Sequence, residues 1–199
     1  PPRILDAPDG FVFHHLNAFE DGDQVVVESI VYDDFPSIGP DDDFAQVDFD
    51  KVPEGILHRC RLDLSRESVQ TERISNRTCE FAMVNPQRQG LTARYAWMAV
   101  TEREAGNDPL QAIQKLDLAT GSTDTWSAAP RGFVSEPLMV RRPGADSEDD
   151  GWVLDLVWNG ARASSDLVIL DARDLSEVAV LELPLAVPHG LHGSWAGAR

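Results

Sequence analysis

Histidine and glutamate residues recur at related positions along this chain, and their types are those found in metal sites. Glu80 and Glu136 begin the similar pentapeptides EFAMV and EPLMV, and the two glutamates are 56 residues apart. A further step of 56 residues reaches His192, and an apolar segment near the start of the chain contains His14 and His15. Neutral imidazoles bind iron, zinc or copper, while carboxylates either bind the metal or accept hydrogen bonds from ligand imidazoles. The pattern suggests a metal centre, and the competing interpretation is a set of packed, hydrogen-bonded side chains.

The elements that would position these residues are β-strands. Runs rich in β-branched and aromatic residues, such as residues 24–32 and 152–158, are separated by clusters of Gly, Pro, Asn and Asp. Three Leu-Asp pairs begin at Leu62, Leu116 and Leu170, at a constant spacing of 54 residues. Each pair is expected to end a strand and enter a polar turn. One unit therefore contains a strand that starts at a glutamate, an apolar strand, a Leu-Asp strand and a closing strand.

A unit of about 55 residues with four strands is typical of a β-propeller blade, for which repeats of roughly 40–50 residues are usual. The first strand of each blade lines the central axis, so equivalent positions on successive blades converge on one point. Four successive units would bring His14 or His15, Glu80, Glu136 and His192 to that axis, if the acidic segment 33–50 is an insertion. A β-sandwich is the alternative fold, but it gives no reason for a constant repeat.

The charge of the chain excludes some classes of partner. Asp and Glu number 34 against 17 Lys and Arg, for a net charge of −17. Nucleic acid is therefore not expected, because no surplus of cations is present to neutralise phosphates. A polybasic membrane-surface module is excluded for the same reason. The acidic runs at residues 41–43, 48–50 and 146–150 lack the spacing of a calcium loop and are interpreted as solvated loops.

The two cysteines, Cys60 and Cys79, do not form a disulfide framework and are interpreted as small buried side chains in a reducing compartment. No signal peptide is visible, and no apolar run approaches the length of about 18 residues needed for a membrane span. These features favour a cytoplasmic location.

The ordered motifs of the chain resemble the carotenoid cleavage oxygenases, also known as the retinal pigment epithelial membrane protein family. The matching segments cover nearly the whole chain, and their combination is specific. They are FVFHHLNAFE at 11–20, CEF at 79–81, SEPLMV at 135–140, EDDGWVL at 148–154, LVILDARDL at 167–175 and GLHGSW at 190–195.

The resemblance implies an all-β protein, a seven-bladed propeller with a non-haem Fe(II) held on its axis by four histidines. Family members cleave a conjugated C=C bond of a carotenoid or apocarotenoid with O2, which gives two carbonyl products. By residue-to-residue match, His14 and His192 are implied as iron ligands, and Glu80 and Glu136 as acceptors of hydrogen bonds from ligand imidazoles. His14 is preferred to His15 because the family pattern keeps the histidine that follows Phe13. The more common arrangement of two histidines and one carboxylate would instead make a glutamate a direct ligand.

Two of the four implied histidines have no counterpart in this chain. We therefore expect residues 1–199 to be the C-terminal part of a single propeller domain, with three to four of the seven blades. Alone, this part is expected to bind iron weakly or not at all and to lack cleavage activity. Peripheral contact with a membrane, which the family uses to extract its substrate, would involve parts outside this chain. The alternative function is a non-catalytic propeller that binds a partner, with structural residues on its axis. A calcium-dependent propeller hydrolase ranks lower because of the histidines.

Overall fold

The computed structural model describes residues 3–37 and 46–197, and in these ranges the chain folds into three antiparallel β-sheets. Each sheet is built mainly from four strands that follow one another in the sequence. Short 3-10 helices lie at Phe49–Lys51 and Pro86–Arg88. The acidic run at residues 41–43 lies outside the described residues. No helix in the described part of the chain is long and apolar enough to cross a membrane.

Sheets 1 and 2 have the simple order of their sequence. Sheet 1 pairs its strands as β1-β2-β3-β4, and sheet 2 as β5-β6-β7-β8. The bounds are β1 Phe11–Asp21, β2 Gln24–Tyr32, β3 Ile56–Asp63, β4 Ser68–Arg73, β5 Cys79–Val84, β6 Tyr95–Thr101, β7 Leu110–Asp117 and β8 Thr123–Ser127.

Sheet 3 follows the same plan with one addition. Its path is β10-β11-β12-β13, and the two-residue strand β9 pairs with the end of β11. The bounds are β9 Gly132–Phe133, β10 Leu138–Arg141, β11 Gly151–Asn159, β12 Ser164–Asp171 and β13 Glu177–Glu182.

The repeat inferred from the Leu-Asp pairs corresponds to these sheets. Asp63, Asp117 and Asp171 are the last residues of β3, β7 and β12, so each pair ends a strand as predicted. Asp117 also accepts hydrogen bonds from the backbone of Ala119 and Thr120, which closes the turn into β8. The chain is therefore all-β, with one four-stranded meander for each Leu-Asp pair.

Sheet 2 lies between the other two sheets and is buried on both faces. Along β6, Met98 packs in a core shared with sheet 1, whereas Trp97 packs in a core shared with sheet 3. The Trp97 indole N–H also donates to the carbonyl of Ala172 at 3.1 Å. Burial on both faces explains why β6 is apolar at nearly every position instead of alternating.

The acidic run at residues 146–150 was interpreted wrongly as a solvated loop. Glu148 accepts the backbone N–H groups of Arg94 and Tyr95, and Asp149 accepts the ammonium of Lys115 at 2.6 Å. The Lys115 side chain is 7% exposed and that of Asp149 is 15% exposed. The run therefore ties sheet 3 to sheet 2, because buried cations and backbone donors on sheet 2 need carboxylate partners.

Candidate metal centre

His14 and Glu80 form a half-buried pair between the first strands of sheets 1 and 2. The Nδ1 atom of His14 lies 2.5 Å from Oε2 of Glu80, and the two side chains are 24% and 12% exposed. A carboxylate can only accept, so Nδ1 carries the proton and donates it. The lone pair of the ring is then on Nε2, which is the nitrogen left to bind a metal.

Irregular backbone places this pair. β1 contains an extra residue between Val12 and His15, and β5 contains one between Glu80 and Met83. Within the second irregularity Phe81 has φ 54°, a left-handed conformation that is rare for an aromatic residue. Extra residues of this kind redirect side chains and are frequent beside active sites. Here they coincide with the two strand positions that present His14 and Glu80.

His192 and Glu136 form a second pair of the same kind. The Nδ1 atom of His192 lies 3.0 Å from Oε1 of Glu136, and the other carboxylate oxygen accepts the backbone N–H of Gly193 at 2.6 Å. The prediction that both residues begin strands was wrong. Glu136 precedes Pro137, which has no N–H, and β10 begins only at Leu138. His192 lies in an irregular segment after β13, and the Glu136 carboxylate holds that segment in place.

The two histidines meet at one point. Their ring centroids are 5.0 Å apart with the planes perpendicular, and the ring of Phe81 lies 5.1 Å from His14 and 6.3 Å from His192. Imidazole nitrogens bind metals such as zinc at about 2.0–2.1 Å, so two rings on one ion have centroids about 5 Å apart. Both Nδ1 atoms are already occupied by carboxylates. The residues present therefore fit two imidazole ligands of one ion.

The remaining histidines lie elsewhere. His15 points its Nδ1 at the hydroxyl of Ser29, 2.7 Å away on β2. His58 is on β3, where burial and the charge of Arg73 lower its pKa. His189 lies 3.4 Å from the Ser135 hydroxyl. Among the described residues, no group of three or more His, Cys, Asp and Glu side chains is arranged to hold a metal ion. The candidate centre thus has two imidazoles in this part of the chain.

Tyr32, Gly193 and Asp155 belong to the surroundings of the site and were missed by sequence reasoning. Tyr32 donates its hydroxyl to Oε1 of Glu80 at 2.7 Å, across 48 residues of chain. Asp155 lies on β11 beside a cavity of about 410 Å³ that Glu136, His192 and several leucines also line. Single polar residues within apolar strands carry no sequence signal for these contacts, because the partners are distant in the chain.

The Asp155 carboxyl is buried and incompletely bonded. It is 2% exposed, and its Oδ1 accepts the Ser135 N–H at 2.9 Å, whereas Oδ2 has no hydrogen-bond partner among the described residues. Burial raises its pKa to about 8, and the nearby charge of Glu136 raises it further against the opposing Ser135 hydrogen bond. The carboxyl is therefore protonated in the folded protein at neutral pH.

Asp155 is expected to make the folded state less stable as the pH rises. The pKa is 3.8 in the unfolded chain and about 8 in the folded protein, so between these values the folded state holds a proton that the unfolded state has lost. This carboxyl should thus lower the free energy of unfolding by up to about 1.4 kcal/mol per pH unit over that range. Urea unfolding at pH 5 and pH 8 should show that Asp155→Asn removes this decline. The exposed Asp124→Asn is the control, and an unchanged slope in Asp155→Asn would contradict the assignment.

Comparisons with known proteins agree with this site. The sequence pattern of the family described as Retinal pigment epithelial membrane protein matches residues 1–197. The apocarotenoid-15,15'-oxygenase of Synechocystis is 43% identical over 94% of this chain, and the lignostilbene-alpha,beta-dioxygenase isozyme III of Sphingomonas paucimobilis is 31% identical over 94% of it. The crystal structure of the cobalt-substituted Synechocystis apocarotenoid oxygenase superposes with a TM-score of 0.94, at 42% identity over 98% of this chain.

The chain is shorter than these proteins. It spans 39% of the Synechocystis apocarotenoid-15,15'-oxygenase, 41% of the Sphingomonas enzyme and 41% of the chain in the cobalt-substituted structure. The similarity therefore concerns about two fifths of each relative.

Proposed function

The chain belongs to the retinal pigment epithelial membrane protein family, and on that premise we propose that it is part of a non-haem iron(II) dioxygenase that cleaves a conjugated C=C bond of an apocarotenoid or carotenoid with O2. The observation that carries the proposal is the meeting of the His14–Glu80 and His192–Glu136 pairs, with both Nδ1 atoms occupied and the rings 5.0 Å apart. The metal named for the similar Synechocystis crystal structure, cobalt in place of the native ion, agrees with such a centre.

His14 and His192 would hold the ferrous ion through Nε2. When bound, the ion would supply the one-electron chemistry that O2 needs to react with an alkene. The protein residues orient and insulate. Glu80 and Glu136 fix the tautomer of each imidazole and raise its basicity. Phe13 and Phe81 place aromatic rings beside His14, at 6.4 Å and 5.1 Å, and these rings offer an apolar wall to a polyene and limit access of water.

We further propose that the three sheets are consecutive blades of a seven-bladed propeller and that residues 1–199 are its C-terminal part. The first strands lie side by side, since β1 contacts β5 and β5 contacts β10. The outward faces of both terminal sheets carry apolar side chains that the described residues leave uncovered. Leu156 and Leu181 on sheet 3 are 37% and 46% exposed, and Val25 and Val27 on sheet 1 are half-buried. Neighbouring blades would cover these faces and supply the other two histidines.

The proposal is tested on the complete polypeptide that the gene encodes. Purified protein should contain close to one iron per chain, and it should convert an apocarotenal and O2 into two carbonyl products detected by mass spectrometry. A stilbene is the second substrate to try, because the Sphingomonas relative is named for one. The 199-residue chain alone, with two imidazoles at the site, should bind Fe(II) weakly and cleave neither substrate. Full iron loading without cleavage of any polyene or stilbene would favour a non-catalytic binding module, and absence of iron would contradict the metal centre.

A further inference from the structure

The two glutamates of the candidate centre differ in how they are held. Glu136 accepts two hydrogen bonds, from the His192 ring and the Gly193 backbone. Glu80 accepts three: Oε2 receives the His14 ring and the Phe81 backbone N–H at 2.7 Å, and Oε1 receives the Tyr32 hydroxyl at 2.7 Å. The third donor is a side chain from sheet 1, whereas Glu80 belongs to sheet 2.

Tyr32 is itself tightly placed. It is the last residue of β2, it is 7% exposed, and its ring meets that of Phe13 edge to face at 5.5 Å. Its other side is packed against the backbone of Gly55. A Cβ atom at Gly55 would lie 2.6 Å from Cζ and 2.7 Å from the hydroxyl oxygen of Tyr32, too close for any real contact. Glycine at 55 therefore provides the space that lets the Tyr32 hydroxyl reach Glu80.

The hydroxyl remains a donor at every working pH. Burial raises the pKa of Tyr32 well above its ordinary range, and the neighbouring Glu80 charge raises it further. A phenol that keeps its proton can only stabilise the ionised form of Glu80 through this bond. Without it, Oε1 would be left without its side-chain donor, and the carboxylate would be free to rotate away from His14 to find another.

From this geometry we propose that Tyr32, seated against Gly55, is the positioning residue that holds the Glu80 carboxylate toward His14 and so fixes the His14 ring with its proton on Nδ1 and its lone pair on Nε2. The consequence for metal affinity rests on the proposed function, whereas the consequence for the His14 tautomer does not. Partners of this kind change metal affinity by about 10- to 100-fold when they are removed.

The variant Tyr32→Phe isolates the hydroxyl. Phenylalanine keeps the ring packing against Phe13 and Gly55, so a purely structural role for Tyr32 would leave the site unchanged. The chain contains one other tyrosine, Tyr95, whose ring contacts Lys115 and Arg94. Tyr95→Phe is therefore the matched control. Thermal unfolding of each variant verifies that the fold is retained.

The first readout needs no metal. NMR of metal-free protein with 15N-labelled histidine reports the tautomer of each ring, and His14 should be in the Nδ1–H form in wild type and Tyr95→Phe. In Tyr32→Phe a substantial fraction should shift to the Nε2–H form, while His192 remains unchanged as an internal reference. The second readout is titration with Co2+, whose affinity should fall about 10- to 100-fold in Tyr32→Phe and stay within twofold in Tyr95→Phe.

A second substitution tests the same contact from the other side. Gly55→Ala should displace the Tyr32 ring and reproduce the His14 shift, whereas Gly197→Ala, where a Cβ meets no atom within 4 Å, should not. Unchanged His14 tautomer in Tyr32→Phe would overturn the positioning role, and a shifted tautomer with unchanged Co2+ affinity would overturn the effect on the metal. A tautomer shift in a protein that binds no Co2+ would support the positioning role and contradict the proposed metal centre instead.

Discussion

Replacing His14 with alanine is expected to lower the affinity of the complete protein for Fe(II) by more than about 100-fold and to abolish cleavage of any substrate. The substitution removes one of the two imidazoles that the structure brings together, whose ring lies 5.0 Å from that of His192. It also leaves the Glu80 carboxylate without the ring N–H that it accepts at 2.5 Å. Loss of a ligand should exceed the roughly 10- to 100-fold effect of losing a group that only orients a ligand. Metal content and the Fe(II) dissociation constant measure the effect.

His15→Ala is the matched control for this prediction. His15 is the next residue on the same strand, but its Nδ1 lies 2.7 Å from the Ser29 hydroxyl and not beside Glu80. Iron content and cleavage rate should therefore stay near those of wild type. Equal losses in the two variants would mean that the effect comes from disturbed folding of β1, and normal iron content in His14→Ala would refute its assignment as a ligand. His192→Ala should behave like His14→Ala.

Lys115→Met is expected to lower the free energy of unfolding by about 3–5 kcal/mol, because it removes one partner of a buried ion pair. The Lys115 ammonium donates to Asp149 and to the carbonyl of Arg173, both at 2.6 Å, and lies 4.1 Å from the centre of the Tyr95 ring. The variant would leave the Asp149 carboxylate, only 15% exposed, without its cation. Urea unfolding followed by tryptophan fluorescence measures the change.

Lys51→Met is the control for this second prediction. The chain's other lysine pairs with Asp48 at 2.9 Å, but its side chain is 82% exposed, and pairs of that kind contribute about 0–1 kcal/mol. Adding Asp149→Asn to Lys115→Met should restore part of the lost stability, since it removes the unpaired charge. A small effect of Lys115→Met alone would show that sheets 2 and 3 are held together by their apolar core, and that the acidic run contributes little.

The sequence alone determined the repeat and the residue types of the site. Strand ends at the three Leu-Asp pairs were predictable, because a polar turn residue after an apolar run interrupts a strand wherever it occurs. The common spacing of Glu80, Glu136 and His192 was predictable for the same reason: equivalent positions in a repeat occupy equivalent places. The family motifs then distinguished His14 from His15, which spacing could not do.

The tertiary structure decided how those residues are held. The extra residues in β1 and β5 shift the register of the strands, and a shift of one residue turns a side chain to the other face of a sheet. The donors on Glu80 come from Tyr32 and Phe81, and Lys115 reaches an acidic run on another sheet. Hydrogen bonds and buried ion pairs depend on distances of a few ångströms between segments far apart in the chain. Local sequence patterns specify strands and turns, and only the packing of the sheets sets those distances.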